Sequence, residues 1–314
     1  MIWMKITKAF SKRFFTIALF LAATGAATLP QYAPDYYILF FSSLFMYLIS
    51  TISWATFSGT TGYISLASAA FFGIGMYITA ILGEKLPFPL LILIGGFGGL
   101  LFALLAGFAS LRIRGIYFAI FTLGLSEALK HLVNWWETTV EHTVGRWPIS
   151  VDHMTSYYIL LMILAVTLAS CRLVRNSKFG LALKSIGQEE EAAVHIGINV
   201  NALKILTFAA GAFLIGATGA TIATQKGYID SSSAFDMFYS FMPALMALFG
   251  GIGTISGWIL GSVFFSIMME LLQTRFPYYY MLIFGGAVVV IILFFPSGLL
   301  GAVEKWRKGG EWTE

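Results

Sequence analysis

Charge is what this sequence lacks most: only 11% of its 314 residues are Asp, Glu, Lys or Arg, against about 25% in an ordinary soluble protein. A water-soluble fold of this size is excluded. Cysteine is nearly absent, and the single Cys171 rules out a disulfide within the chain, a four-cysteine zinc site and an iron–sulfur cluster held by this chain alone. There is no Gly-x-x-x-x-Gly-Lys-Ser/Thr phosphate loop and no His-Glu-x-x-His zinc helix. The four histidines, His131, His142, His153 and His195, fall at the ends of apolar runs or between them. These absences leave no catalytic set, no metal site and no cofactor box, and a net charge of only +4 does not imply nucleic acid as a partner.

What is present is apolar length. Hydrophobic residues make up 58% of the chain and the mean hydropathy is +0.83. A bilayer core about 30 Å thick is crossed by about 20 helical residues rising about 1.5 Å each. Runs of that kind lie near 14–30, 36–57, 62–82, 88–110, 115–134, 157–174, 203–224 and 278–295. A further run, 238–272, is too long for one span and is interrupted by Gly250-Gly251-Ile252-Gly253. Basic residues gather at the N-terminus, at Arg112 and Arg114, in 172–204 and at the C-terminal end, and these four segments hold 14 of the 19. Placing them in the cytoplasm requires an even number of spans, so 238–272 is expected to cross twice, its first limb either a short span or a re-entrant half helix. The resulting expectation is an all-α transmembrane bundle of about ten crossings, one domain over 1–314, with both termini cytoplasmic. Lys12, Arg13 and the apolar run from Phe14 also fit a cleavable leader, less well than a retained first helix.

A faint internal echo links Ala55-Thr-Phe57-Ser-Gly59 with Ala247-Leu-Phe249-Gly-Gly251; both turns are expected on the cytoplasmic side. The longest polar insertion on that side is 172–202. Its Gln188-Glu189-Glu190-Glu191-Ala192-Ala193 string favours helix, and Gly197 is a helix stop. Such a short helix either docks into a partner's groove or is a solvated amphipathic turn.

The stretch from Gly180 through Gln188-Glu189-Glu190-Glu191-Ala192-Ala193 to Gly197 resembles the coupling loop of ATP-binding-cassette (ABC) importer permeases, in the form found in LivM-type branched-chain amino acid permease subunits. Gly62–Tyr77, Leu111–Leu123, Phe249–Gly261 and Phe295–Gly301 are similar to the same family in the same order. The resemblance implies a non-catalytic permease subunit in the cytoplasmic membrane, with a single membrane domain that includes the coupling loop 175–202. The implied partners are two cytoplasmic ATPase subunits, a second related permease and an extracytoplasmic solute-binding protein. It places Gly180, Glu190, Ala192, Ala193 and Gly197 at the ATPase contact. The chain departs from the family in its external segment Glu137–Pro148, which is poor in glycine, and at Glu191 and Val194 in the loop. The implied cargo is a branched-chain or other hydrophobic amino acid, with urea or short amides as the alternative. An ion-coupled carrier is the rival class, but it has no use for an ATPase-docking loop.

Candidate pathway residues are the intramembrane polar ones, Ser65, Ser68, Thr122 and Glu127. A carboxylate within a span is costly and faces an interior or a cavity, so Glu127 either meets a solute ammonium or pairs with Lys130 or His131 on its own helix. Glycines at 59, 62, 73, 75, 95, 96, 98 and 99 permit close helix approach.

Overall fold

The computed structural model describes Gly25, residues 28–111, Ile113 and residues 115–294. Most of the first expected span, the leader reading, Arg112, Arg114 and the C-terminal segment from Phe295 lie outside these residues.

Long apolar runs become helices because, away from water, a helix satisfies its own backbone. The order is α1 (Asp35–Thr61), α2 (Ser68–Leu82), α3 (Phe88–Ser110), α4 (Ile116–Trp136), α5 (His153–Asn176), α6 (Lys178–Gln188), α7 (Glu190–His195), α8 (Val200–Ala223), α9 (Ser231–Ala234), α10 (Phe238–Gly250), α11 (Ile255–Arg275) and α12 (Tyr280–Phe294). Helix α4 runs on through a π-helical turn, Glu137–Glu141. Among the described residues six helices are long and apolar enough to cross a membrane, namely α1, α3, α4 with its π turn, α5, α8 and α11.

The expectation of about ten full crossings is therefore not met in the described residues. Helices α2 and α12 have 15 residues each and α10 has 13, about 20 Å of rise, well short of the apolar core. In the first case the missing length is the stretch 62–67, which the sequence reading had folded into one span. Gly62 ends α1 in the left-handed region at φ 76°, which glycine adopts without penalty, and the chain runs on without helix to Ser68. For α10, Gly250 and Gly251 divide 238–272 where expected: α10 stops, Gly251 takes φ 105°, and Thr254 caps α11 by accepting from the Gly257 amide.

Helix α1 is the central rod, with 72% of its apolar window covered, whereas α4 has 22% covered. Helices α2, α3 and α8 form the tightest group, because glycine brings their backbones together. A Cβ added at Gly75 would collide with the Gly216 carbonyl, and one at Gly99 would stand 2.7 Å from the Ala212 carbonyl oxygen. Between α10 and α11, Gly250 and Gly257 lie against each other's carbonyls in the same way. Lipid supplies no hydrophobic drive between helices, so this close van der Waals contact is what holds them.

One end of the bundle collects α6, α7 and the turns after α1, α3 and α10. Gly187 abuts the Thr60 carbonyl, Arg175 donates to the Gly253 carbonyl oxygen at 2.8 Å, and Gly59 packs on Ile252 and Trp258. The two echoing segments thus meet at this end. The opposite end carries 142–152 and 224–236, joined by reciprocal hydrogen bonds between Arg146 and Ile229 of 2.7 and 2.9 Å. There Tyr36, at the start of α1, donates to Glu270 near the end of α11 at 2.5 Å.

Gly75→Ala is expected to cost about 1–3 kcal/mol through overpacking, seen as a lower thermal midpoint of the detergent-solubilised protein. Gly124→Ala, where an added Cβ meets nothing within 4 Å, should leave the midpoint unchanged or raise it slightly.

Candidate functional site

The polar loop at the crowded end is two helices, α6 and α7, meeting at Glu189 in extended conformation. Ser177 opens α6 by accepting from the Gly180 amide, and the absence of a side chain at Gly180 lets the turn press on the Val174 carbonyl. Leu183 and Ile186 face inward from α6, as Ala193 does from α7. Gly197, at φ 85°, reverses the chain after α7, and Asn199 caps α8 by accepting from the Ala202 amide.

The α7 residue that carries chemistry is Glu190. Its Oε1 lies 2.9 Å from Nζ of Lys204 and its Oε2 accepts from the Tyr63 hydroxyl at 2.5 Å. Lys204 sits in the first turns of α8 with a side chain 1% exposed. Besides Glu190 it donates to the Tyr63 hydroxyl at 3.1 Å and to the Leu111 carbonyl at 3.3 Å, and its ammonium lies 4.2 Å from the centre of the Tyr63 ring. Three acceptors and an aromatic face satisfy a charge that could not otherwise be buried. The sequence reading counted Lys204 among the loop cations, whereas its ammonium points into the bundle and ties the loop to it.

Tyr63 belongs to the unwound stretch 62–67, whose backbone is held by side chains. Ser58 accepts from the Ser65 amide at 3.3 Å, and the Trp54 indole donates to the Ser65 carbonyl at 2.6 Å. Thr122 accepts from the Leu66 amide at 2.9 Å, and Ser126 and Ser240 donate to the Leu66 carbonyl at 3.2 and 2.7 Å. Irregular backbone at membrane depth persists only where protein satisfies it in this way. A continuous set of contacts therefore runs from α7 through Glu190, Lys204 and Tyr63 into the break of the α1–α2 pair.

Of the four pathway candidates, Thr122 and Ser65 work on this backbone: the Ser65 hydroxyl accepts from the Ala67 amide at 3.3 Å. Ser65 and Ser68, with Ser53 and Ser58, line a cavity of about 10 Å³, room for about one water. Glu127 pairs with Lys130 on its own helix at 3.6 Å, the local alternative weighed above. A cavity of about 260 Å³ opens between α1, α5 and α8, reaching Cys171 and Phe179. The hydroxyls of Thr56, Thr167 and Thr207 on its wall donate to carbonyls of their own helices, so it presents an apolar surface. Of the coupling-loop residues, Ala192 and Gly197 are exposed, and Gly180, Ala193 and much of Glu190 are covered. Exposed apolar side chains surround them, among them Phe179, Leu181, Val194 and Ile196.

Sequence reasoning missed the roles of Lys204 and Tyr63. An isolated lysine on an otherwise apolar face, in Ala202–Lys204–Phe208, was the signal available.

Comparison with known proteins places these features among transport proteins. The model of the family described as "Branched-chain amino acid transport system / permease component" matches residues 36–293. The high-affinity branched-chain amino acid transport system permease protein LivM of Escherichia coli K12 is 24% identical over 289 residues, covering 81% of this chain and 68% of that protein. LivM of Salmonella typhimurium gives the same figures. The autoinducer 2 import system permease protein LsrC of Klebsiella pneumoniae is 28% identical over 200 residues, 59% of this chain and 54% of that protein. No solved structure matches.

Truncating one partner of a buried pair leaves the other charge bare. Lys204→Met is accordingly expected to cost about 3–5 kcal/mol in denaturant unfolding. Combining it with Glu190→Gln should recover part of that loss in a double-mutant cycle; strictly additive losses would mean that the two side chains are not coupled.

Proposed function

The chain belongs to the branched-chain amino acid transport permease family, and from that membership we propose that it is the translocation subunit of an ATP-driven importer. Its partners in this reading are two cytoplasmic ATPases, a second permease of the same kind and an extracytoplasmic solute-binding protein. The observation that carries the proposal is the anchored pair α6–α7, fixed inward by Glu190 on Lys204 and Tyr63 and exposed outward through Ala192, Val194 and Ile196.

A loop built to be docked on one face and gripped on the other transmits displacement. Closing of the ATPases pushes α7, and the push reaches Tyr63 and the unwound 62–67 through a single ion-paired contact. A change of a few kcal/mol at that contact shifts the balance between inward-open and outward-open bundles. Ala192 and Gly197 form the contact surface, while Gly180, Ala193 and Glu190 hold that surface in place. The end bearing α6 and α7 is the cytoplasmic one, in keeping with the basic residues of 172–184. Six of the described helices are long enough to cross the inner membrane, and α2, α10 and α12 enter it as shorter helices. Ser65, Ser68, Thr122 and Glu127 border the route through the broken helices.

The cargo is a branched-chain or other hydrophobic amino acid, a reading supported by the LivM relatives, which are named for branched-chain amino acid transport. The LsrC matches support a second reading, a small polar solute of the autoinducer 2 kind.

Ala192→Trp should abolish co-purification of the ATPases and cut uptake at least tenfold while the thermal midpoint stays put, and Gly197→Val should do the same with a lower midpoint. Normal co-purification of Ala192→Trp, or uptake that survives ATP depletion and collapses with the ion gradient, would remove the importer reading.

A further inference from the structure

At the end opposite the coupling helices the bundle buries a carboxylate that nothing in the described structure uses. Glu137 is 0% exposed, and neither carboxylate oxygen has a hydrogen-bond partner among the described residues. The Tyr77 hydroxyl, in a residue 5% exposed, faces Glu137 closely enough to interact with its carboxylate, with Arg146 and Asp230 the next charges around it, but among the described residues no hydrogen bond of regular geometry holds it. The neighbouring Asp230 shows the usual solution: burial raises its carboxyl, but the Ser233 hydroxyl and the Ser233 and Ser232 amides outweigh that and hold it below the ordinary carboxylate range. Glu137 has no such cap.

The backbone around Glu137 is unusual as well. Glu137 opens the π-helical turn, its carbonyl accepts from the His142 amide, and His142 sits at φ 55°. π turns and left-handed non-glycine residues are costly and collect at functional sites. Above them lies the strap 143–146. Tyr228 donates to the Val144 carbonyl, Arg146 pairs with Ile229, and the Arg146 guanidinium stacks on Trp136 at 5.2 Å while an ion pair of 3.1 Å joins it to Glu141. The Arg146 Nε is left without an acceptor.

The unused groups are mostly acceptors: two carboxylate oxygens and a phenol oxygen. A primary ammonium supplies three donors and a positive charge, and the Phe235 ring packed on Tyr77 at 5.6 Å adds an aromatic wall that suits a cation. We propose that Glu137 and Tyr77 form a binding site for the ammonium group of the solute at the outer mouth, closed by the strap 143–146, with Arg146 taking the solute's carboxylate. The choice of an amino acid rests on the cargo reading above, whereas the choice of an ammonium rests on Glu137 and Tyr77 alone.

The test uses the full-length chain in nanodiscs and three probes: 3-methylbutylamine, which has only the ammonium, 4-methylpentanoate, which has only the carboxylate, and leucine. The wild-type chain should bind the amine saturably and at least tenfold more tightly than the acid. This comparison needs no variant, so it stands even where a substitution impairs folding. Glu137→Gln should weaken amine binding at least tenfold and Tyr77→Phe at least threefold. Arg146→Gln should weaken leucine at least tenfold more than it weakens the amine. An acid that binds as well as the amine, or a folded Glu137→Gln that binds the amine as wild type does, overturns the site. In the second case normal leucine uptake by the assembled importer would leave the cargo reading intact. Conversely, Glu137-dependent amine binding by a chain that transports no amino acid would keep the site and remove that cargo.

Discussion

A lysine ammonium inside an apolar bundle cannot be left bare, and the arrangement of this protein's polar end follows from how Lys204 is satisfied. Its three acceptors come from three different parts of the chain: Glu190 of α7, Tyr63 of the unwound stretch and the carbonyl of Leu111 after α3. Because the desolvation cost of the charge is repaid only when all of them are in place, the loop, the helix break and the α3 end are held in one mutual position. A carboxylate on a mobile surface loop would gain little from a distant lysine. Buried, the same pair becomes a register pin.

Elsewhere the bundle is held by shape rather than by charge. Helices α2, α3 and α8 approach until backbone meets backbone at Gly75, Gly99 and Gly216, and threonines such as Thr218 and Thr221 return their hydroxyls to their own helix. This group is packed backbone to backbone, whereas 62–67 is unwound and α10 stops after 13 residues. The division places a rigid wall beside segments whose conformation depends on a few specific hydrogen bonds, the combination that a two-position machine requires.

The two ends of the molecule treat buried charge in opposite ways. At the coupling end the Lys204 ammonium has three acceptors. At the other end Asp230 is capped by its own short helix, yet the carboxylate of Glu137, the residue that follows α4, is buried without a hydrogen bond of regular geometry among the described residues.

The sequence by itself determined the membrane character, the positions of most helices, the division of 238–272 at Gly250-Gly251 and the helical nature of 178–195, because each is a local matter of apolar length, glycine and helix propensity. The same composition could not show that 62–67 is unwound, since its residues are apolar enough to continue a span; Trp54 and Ser58 of α1, with Thr122, Ser126 and Ser240 from distant helices, satisfy a backbone that does not coil. Nor could it choose between the two readings of Glu127, or distinguish the inward-turned Glu190 from its neighbour Glu191. Tertiary structure decided these, because the direction of a charged side chain is set by which opposite charge or acceptor the fold places within about 3 Å of it, and Lys204 and Tyr63 reach Glu190 from distant points along the chain.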